Sequence, residues 1–138
     1  MKRALYFLFV LTMLITIPLY QPVTINAQDT ASIEVIIAVI CRDVVDREPV
    51  DIGDSFKATV GRLYCFTKII STHSPIEITH VWYFGNTERA KVNLSVNSNS
   101  WRTYSSKIIR TLEIGDWHVD VLSPDGEVLR TLHFKITP

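Results

Sequence analysis

The stretch IEITHVWYFGNTERAKVNLSV, Ile76 to Val96, decides the fold of this chain. Its second half alternates apolar and polar residues, and a period of two is typical of a β-strand with one buried face. Its first half places His80 and Trp82 on one face. Gly85 and Asn86 between the halves are typical of a hairpin turn. The stretch therefore predicts an antiparallel hairpin with a tryptophan in its first strand.

The rest of the chain from Ser32 onward carries the same kind of β-signal, and no window keeps apolar residues at helical spacing for three turns. We interpret residues 42–57 as a polar loop, and SPDGE, Ser123 to Glu127, as the turn of a terminal hairpin. About seven or eight short strands, with a tryptophan near the chain centre, predict an all-β fold of two packed antiparallel sheets, an immunoglobulin-like β-sandwich. The further predicted strands are 33–41, 62–70, 100–110, 116–123 and 127–136.

The N-terminus has the pattern of a secretory signal peptide. Lys2 and Arg3 precede an uncharged run from Ala4 to Tyr20, and Ala27 is a suitable small residue at a cleavage position. We therefore expect residues 1–27 to be a signal peptide and the protein to be exported, either periplasmic or secreted. The alternative is an uncleaved membrane anchor, which the shortness of the run disfavours.

The remaining residues, 28–138, suffice for one domain with a single core and are too few for two. Without Lys2 and Arg3 the chain has 12 basic residues against 14 acidic ones, a net charge of −2. This balance gives no electrostatic reason to expect nucleic-acid binding. Membrane contact is expected only through the signal segment, if it is not cleaved.

The chain has two cysteines, Cys41 and Cys65, on apolar faces of predicted strands. In an oxidising compartment such a pair predicts a disulfide between neighbouring strands. The chain-entropy model gives such a bridge a stabilisation of roughly 3 kcal/mol. The alternative is two buried free thiols that pack as small hydrophobic groups.

Six motifs stand in order along the chain and together resemble the bacterial family known as domain of unknown function 2914. The resemblance covers roughly Ile33 to Ile136. It implies a bacterial envelope-associated module, often attached to other domains, and it makes WRTYSSK a family feature. It implies no activity and no catalytic residues. The motifs are REPV (47–50), GRLYCF (61–66), HVWYF (80–84), WRTYSSK (101–107), GDWHVDV (115–121) and PDGEVL (124–129).

No catalytic or metal-binding signature is present in the sequence. The histidines lie in separate segments without ligand spacing, so we expect no metal ion and no cofactor. His80 is expected to be a buried, hydrogen-bonded structural residue beside Trp82. The histidines are His73, His80, His118 and His133.

Two further groups of residues carry a chemical alternative. Five acidic residues between positions 43 and 54 could surround calcium, but their spacing fits no EF-hand loop and we interpret them as a solvated loop. Ser105 or Ser106 with Lys107 could form a nucleophile and base, but adjacent strand residues point to opposite faces. The acidic residues are Asp43, Asp46, Glu48, Asp51 and Asp54.

The strand SWRTYSSKIIR, Ser100 to Arg110, has no clean apolar face, and it supports two interpretations. In the structural one, Trp101 caps the end of the sandwich and Arg102 pairs with a carboxylate such as Glu48 or Asp116. In the functional one, aromatic and cationic groups bind a sugar or an acidic peptide. The candidate binding residues are Trp101, Arg102, Tyr104 and Lys107.

These observations lead us to expect a non-enzymatic, exported module that binds an envelope protein or glycan through this polar strand. One alternative is a small cell-wall hydrolase that uses His80 or His118 as base with Asp120 as acidic partner. Another is a purely structural accessory domain. The residues to which we assign structural roles are Cys41, Cys65, Arg47, Glu48, His80, Trp82 and Trp117.

Overall fold

A computed structural model describes residues 18–24 and 32–138. The predicted signal peptide, 1–27, lies outside the described residues apart from 18–24, which have no regular structure, and its cleavage position lies outside them too. In the described part of the chain no helix is long and apolar enough to cross a membrane. The strands are β1 (Ile33–Val45), β2 (Glu48–Ile52), β3 (Ser55–Lys57), β4 (Arg62–Ser71), β5 (Ile76–Phe84), β6 (Thr87–Val96), β7 (Ser100–Ile108), β8 (Gly115–Leu122) and β9 (Val128–Thr137).

The strands form two sheets, one in the order β2-β1-β4-β7 and one in the order β3-β9-β8-β5-β6. All pairings are antiparallel except that of β3 with β9. In the immunoglobulin arrangement strands A, B and E share one sheet and G, F, C and C′ the other. Here β1, β4 and β7 take the places of A, B and E, and β9, β8, β5 and β6 those of G, F, C and C′. The predicted immunoglobulin-like sandwich is confirmed.

The core lies between the inward faces of the two sheets. Trp82 on β5 and Trp117 on β8 are almost completely buried, and both contact the ring of Phe134 on β9, with centroid separations of 6.1 and 5.9 Å. Complete burial of a large apolar side chain contributes roughly 1.5–3 kcal/mol. Trp82 and Trp117 therefore form the centre of the core together with Phe134.

The polar loop that we predicted over residues 42–57 is wrong, because most of this segment is β-structure. β1 continues to Val45 and pairs with β2 around Asp46 and Arg47. Both of these residues have positive φ, 51° and 62°, which a two-residue hairpin turn requires. The polar residues mislead because β2 and the end of β1 after Cys41 are largely exposed.

The β1–β2 hairpin folds back along the outward face of its own sheet. Cys41 on β1 is opposite Tyr64, whereas Trp101 on β7 is opposite Ile69, about 17 Å further along β4. Nevertheless the Arg47 guanidinium at the hairpin tip lies 5.2 Å from the Trp101 ring centroid. A straight hairpin would point away from Trp101, so the tip must return over the sheet.

The predicted disulfide between Cys41 and Cys65 is not formed, and both residues are buried free thiols. The strands are neighbours, as predicted, but Cys65 is opposite Ile40 and Cys41 is opposite Tyr64. Successive side chains of a strand alternate between faces, so Cys65 points into the core and Cys41 to the other face of the sheet. Two sulfur atoms on opposite faces cannot be bridged without moving the backbone.

Candidate functional site

β7, the strand with no apolar face, is an edge strand of the four-stranded sheet. Its pairing with β4 divides the four predicted binding residues between two faces. Trp101 and Lys107 lie opposite Ile69 and Leu63. Ile69 and Leu63 are core residues, so Trp101 and Lys107 are on the inward face. Arg102 and Tyr104 point outward. The four residues therefore do not form one surface, and only Arg102 and Tyr104 share a face.

The inward face of β7 is polar because Ser105 completes a hydrogen-bonded chain inside the core. Its Oγ lies 2.8 Å from Nδ1 of His80 and accepts a 3.0 Å hydrogen bond from Nε1 of Trp82. The other imidazole nitrogen, Nε2, lies 3.3 Å from Oγ1 of Thr67, which donates to the carbonyl of Thr103 at 3.3 Å. The prediction of a buried, hydrogen-bonded His80 is confirmed, with both ring nitrogens engaged.

These hydrogen bonds select one tautomer of His80. Because Ser105 accepts from Trp82, its own proton is free to go to Nδ1, and Nε2 then carries the ring proton that Thr67 accepts. Burial in the core lowers the pKa of His80 from 6.5 to about 4. The imidazole is therefore neutral at pH 7. Each polar hydrogen in this hydrogen-bond network has an acceptor.

The arrangement of Ser105 and His80 has the spacing of a nucleophile and base but not their accessibility. His80 is completely buried and Ser105 is 4% exposed, so no substrate reaches them in this conformation. Lys107 donates to the carbonyl of Ile108 and belongs to no dyad. His118 stacks on Tyr83. Burial thus keeps the Ser105–His80 pair from any substrate in this conformation.

The outward face of β7 brings two cations together. Lys68 on β4 is directly opposite Arg102, and like charges in this position repel each other. The Glu48 carboxylate, at the hairpin tip, lies 3.2 Å from the Arg102 guanidinium. Glu48 is one of the two carboxylates that the sequence suggests as a partner of Arg102. Lys68 makes no ion pair within the described residues. One negative charge therefore faces two positive ones.

Aromatic and hydroxyl groups continue this surface along both strands. The rings of Tyr64 and Tyr104 meet edge to face at 5.9 Å, and Tyr104 is 48% exposed. Arg62 donates to Oγ of Ser106 at 2.8 Å. We call Arg62, Tyr64, Lys68, Arg102 and Tyr104 the basic aromatic surface.

Trp101 is half-buried and packs against the core cluster that contains Val35 and Ile69. The Arg47 guanidinium covers its ring from the hairpin tip. The predicted cap at the end of the sandwich is thus confirmed. The other carboxylate considered for Arg102, that of Asp116, lies 3.6 Å from Lys135 instead.

Three shallow clefts of about 370–410 Å³ lie near β2, β3 and β9, and none includes a residue of β7. The five acidic residues of positions 43–54 form no calcium cage. Within residues 18–24 and 32–138 no group of three or more His, Cys, Asp or Glu side chains could hold a metal ion. All five acidic side chains are exposed to solvent.

A buried carboxylate that the sequence analysis missed organises the segment between β7 and β8. Glu113 is 7% exposed, pairs with Arg89, and accepts a 3.1 Å hydrogen bond from the amide of Arg110. Its carbonyl accepts a hydrogen bond from Nε1 of Trp117. No sequence pattern marks this residue, since its charged partner, Arg89, lies 24 residues away in the chain.

No curated protein matches the chain. The family model described as "Protein of unknown function (DUF2914)" matches residues 75–136, the part that holds β5 to β9. The family model covers less of the chain than the six motifs do. The motifs REPV and GRLYCF lie before residue 75. The motifs HVWYF, WRTYSSK, GDWHVDV and PDGEVL lie within residues 75–136. Over residues 75–136 the predicted resemblance to the family of proteins of unknown function DUF2914 is therefore confirmed.

Proposed function

We propose that this protein is an exported, non-enzymatic module that binds an anionic envelope component, protein or glycan, through the basic aromatic surface. The observation that carries the proposal is the placement of Lys68 directly opposite Arg102, with Glu48 as the carboxylate beside them. An unbalanced pair of cations costs stability in the free protein. A bound carboxylate or phosphate would offset that cost and accept hydrogen bonds from both side chains.

The neighbouring aromatic groups fit the same role. Tyr104 is half-exposed and its ring is held by Tyr64, so it offers a rigid apolar face with a hydroxyl at its end. Such rings contribute contact area at a small cost in conformational entropy. Since β7 is also an edge strand, its free backbone groups could pair with an extended peptide. Export itself rests on the signal-peptide pattern of residues 1–27.

A binding experiment with three polymers tests the proposal. The full chain is titrated with a polyuronate, a polyglutamate peptide and neutral dextran, at low and high salt. We expect saturable binding of at least one acidic polymer, weakened as salt rises, and none of dextran. Glycan and peptide ligands are distinguished by which acidic polymer binds.

Variants locate the binding. Lys68→Gln and Tyr104→Ala should each weaken it several-fold, and their far-ultraviolet circular dichroism should match that of the wild-type protein. Lys91→Gln, an exposed lysine on β6 of the other sheet, is the matched control and should change nothing. If no acidic polymer binds, or if the Lys91 variant loses as much as the Lys68 variant, the proposal is wrong and a structural accessory role is favoured.

A further inference from the structure

The outward face of the five-stranded sheet carries a row of three rings that the proposed binding surface does not use. Tyr83 on β5 is directly opposite His118 on β8, and His118 is directly opposite His133 on β9. The rings of Tyr83 and His118 are stacked, with centroids 4.5 Å apart and planes 9° apart. The rings of His118 and His133 are 5.6 Å apart and tilted by 41°. His118 is thus held between two neighbouring rings.

The separation of the two imidazoles suits a shared metal ion. Zinc binds imidazole nitrogen at about 2.0–2.1 Å, which places the ring centroids of two histidines on one ion about 5–6 Å apart. The observed 5.6 Å lies in this range. Each ring would bind a shared ion by turning one nitrogen toward it, with no change in the separation of the two rings.

The surroundings of the pair favour a cation. Asp116 and Asp120 lie two residues to either side of His118 on the same outward face. Asp116 lies near Lys135, at 3.6 Å, and Asp120 accepts a hydrogen bond from Thr131. β8 and β9 each have a neighbouring strand on both sides. Their backbones therefore hold His118 and His133 in place.

We propose that His118 and His133 form a surface site for a divalent transition-metal ion, with Cu²⁺ bound more tightly than Zn²⁺. Imidazole is a preferred ligand of both ions, and affinity for a given nitrogen site rises to a maximum at copper. No third protein ligand accompanies the pair in the described part of the chain, so water completes the coordination shell. The site is an open one, and the exposed His133 gives the ion access to it from solvent.

Calorimetric titration of the full chain with CuSO₄ and then with ZnCl₂ tests the proposal. We expect binding of one Cu²⁺ per chain at this site, with weaker binding of Zn²⁺. His118→Gln and His133→Gln should each lower the affinity at least tenfold. His73→Gln is the matched control, because His73 lies in the segment between β4 and β5 and contacts Thr72, and it should leave the affinity unchanged.

Nuclear magnetic resonance of the wild-type protein gives a second measurement that depends on no variant. Substoichiometric Cu²⁺ should broaden the imidazole resonances of His118 and His133 first and leave those of His73 and the buried His80 sharp. The proposal is overturned if the protein with both glutamines binds Cu²⁺ as tightly as the wild-type protein. It is equally overturned if the broadening begins at His73.

Discussion

Ser105 and His80 are joined across the two sheets by a hydrogen bond of 2.8 Å between Oγ and Nδ1. The bond connects an edge strand to an inner strand of the opposite sheet, and Trp82 donates to the same serine oxygen. Immunoglobulin domains of antibodies connect their sheets beside the buried tryptophan by a disulfide. In this protein the described cysteines are free, and a chain of hydrogen bonds spans the core beside Trp82.

Ser105→Ala should destabilise the protein by about 1–3 kcal/mol, because His80 and Trp82 would each lose a buried partner. Urea unfolding measures this change. The matched control is Ser106→Ala on the outward face, which removes an exposed bond with Arg62 and should change the free energy of unfolding by less than about 0.5 kcal/mol. Equal effects of the two variants would contradict the role given to Ser105.

His80 should make stability depend on pH. Its pKa is about 4 in the folded protein and 6.5 when exposed, so between these values the unfolded chain binds a proton that the folded protein does not. Stability is therefore complete above pH 6.5 and falls as the pH falls toward 4, by up to about 3 kcal/mol. Urea midpoints at pH 7.5, 6 and 5 measure the slope.

His80→Gln isolates this contribution, because glutamine keeps a donor and an acceptor but does not titrate. The variant should be less stable than the wild-type protein at pH 7.5, and the difference should shrink as the pH falls. Parallel pH profiles of the two proteins would show that His80 does not carry the effect.

Both thiols should be unreactive in the folded protein. Burial raises the pKa of Cys41 and of Cys65, and the thiolate is the reactive form. A chromogenic disulfide reagent should label neither cysteine of the native protein within minutes, and both after unfolding in guanidinium without reductant. Absence of label in the unfolded chain would reveal a disulfide.

Trp101→Ala should destabilise the fold by about 2 kcal/mol or more, since it removes a half-buried ring packed on the core. Arg47→Ala should cost about 0.5–1 kcal/mol, the usual contribution of an exposed cation–π contact. In a double-mutant cycle from urea unfolding, Arg47→Ala should have no effect once Trp101 is absent. Additive effects would show that the hairpin tip does not depend on this contact.

The strand positions were largely accessible from sequence because alternation is a local property. The sequence predicts β5 with the bounds Ile76–Phe84 that the structure gives it, and β1, β4, β6, β8 and β9 start or end within a few residues of expectation. The error over residues 42–57 arose because a hairpin exposed to solvent has the composition of a loop. Alternating apolar residues indicate a strand with one buried face. β2 and the end of β1 are mostly exposed and so lack this pattern.

Sequence by itself determined the fold class, the neighbouring strands of the two cysteines, and the burial of His80 beside Trp82, because each depends on local periodicity. Only the tertiary structure decided which residues meet across strands and sheets. A bulge in β1 between Val35 and Ile37 shifts the register with β4, and the register places Cys41 and Cys65 on opposite faces. Pairing across the sheets likewise chose Ser105 as the partner of His80. Such contacts join segments far apart in the chain, and no local pattern encodes the register that brings them together.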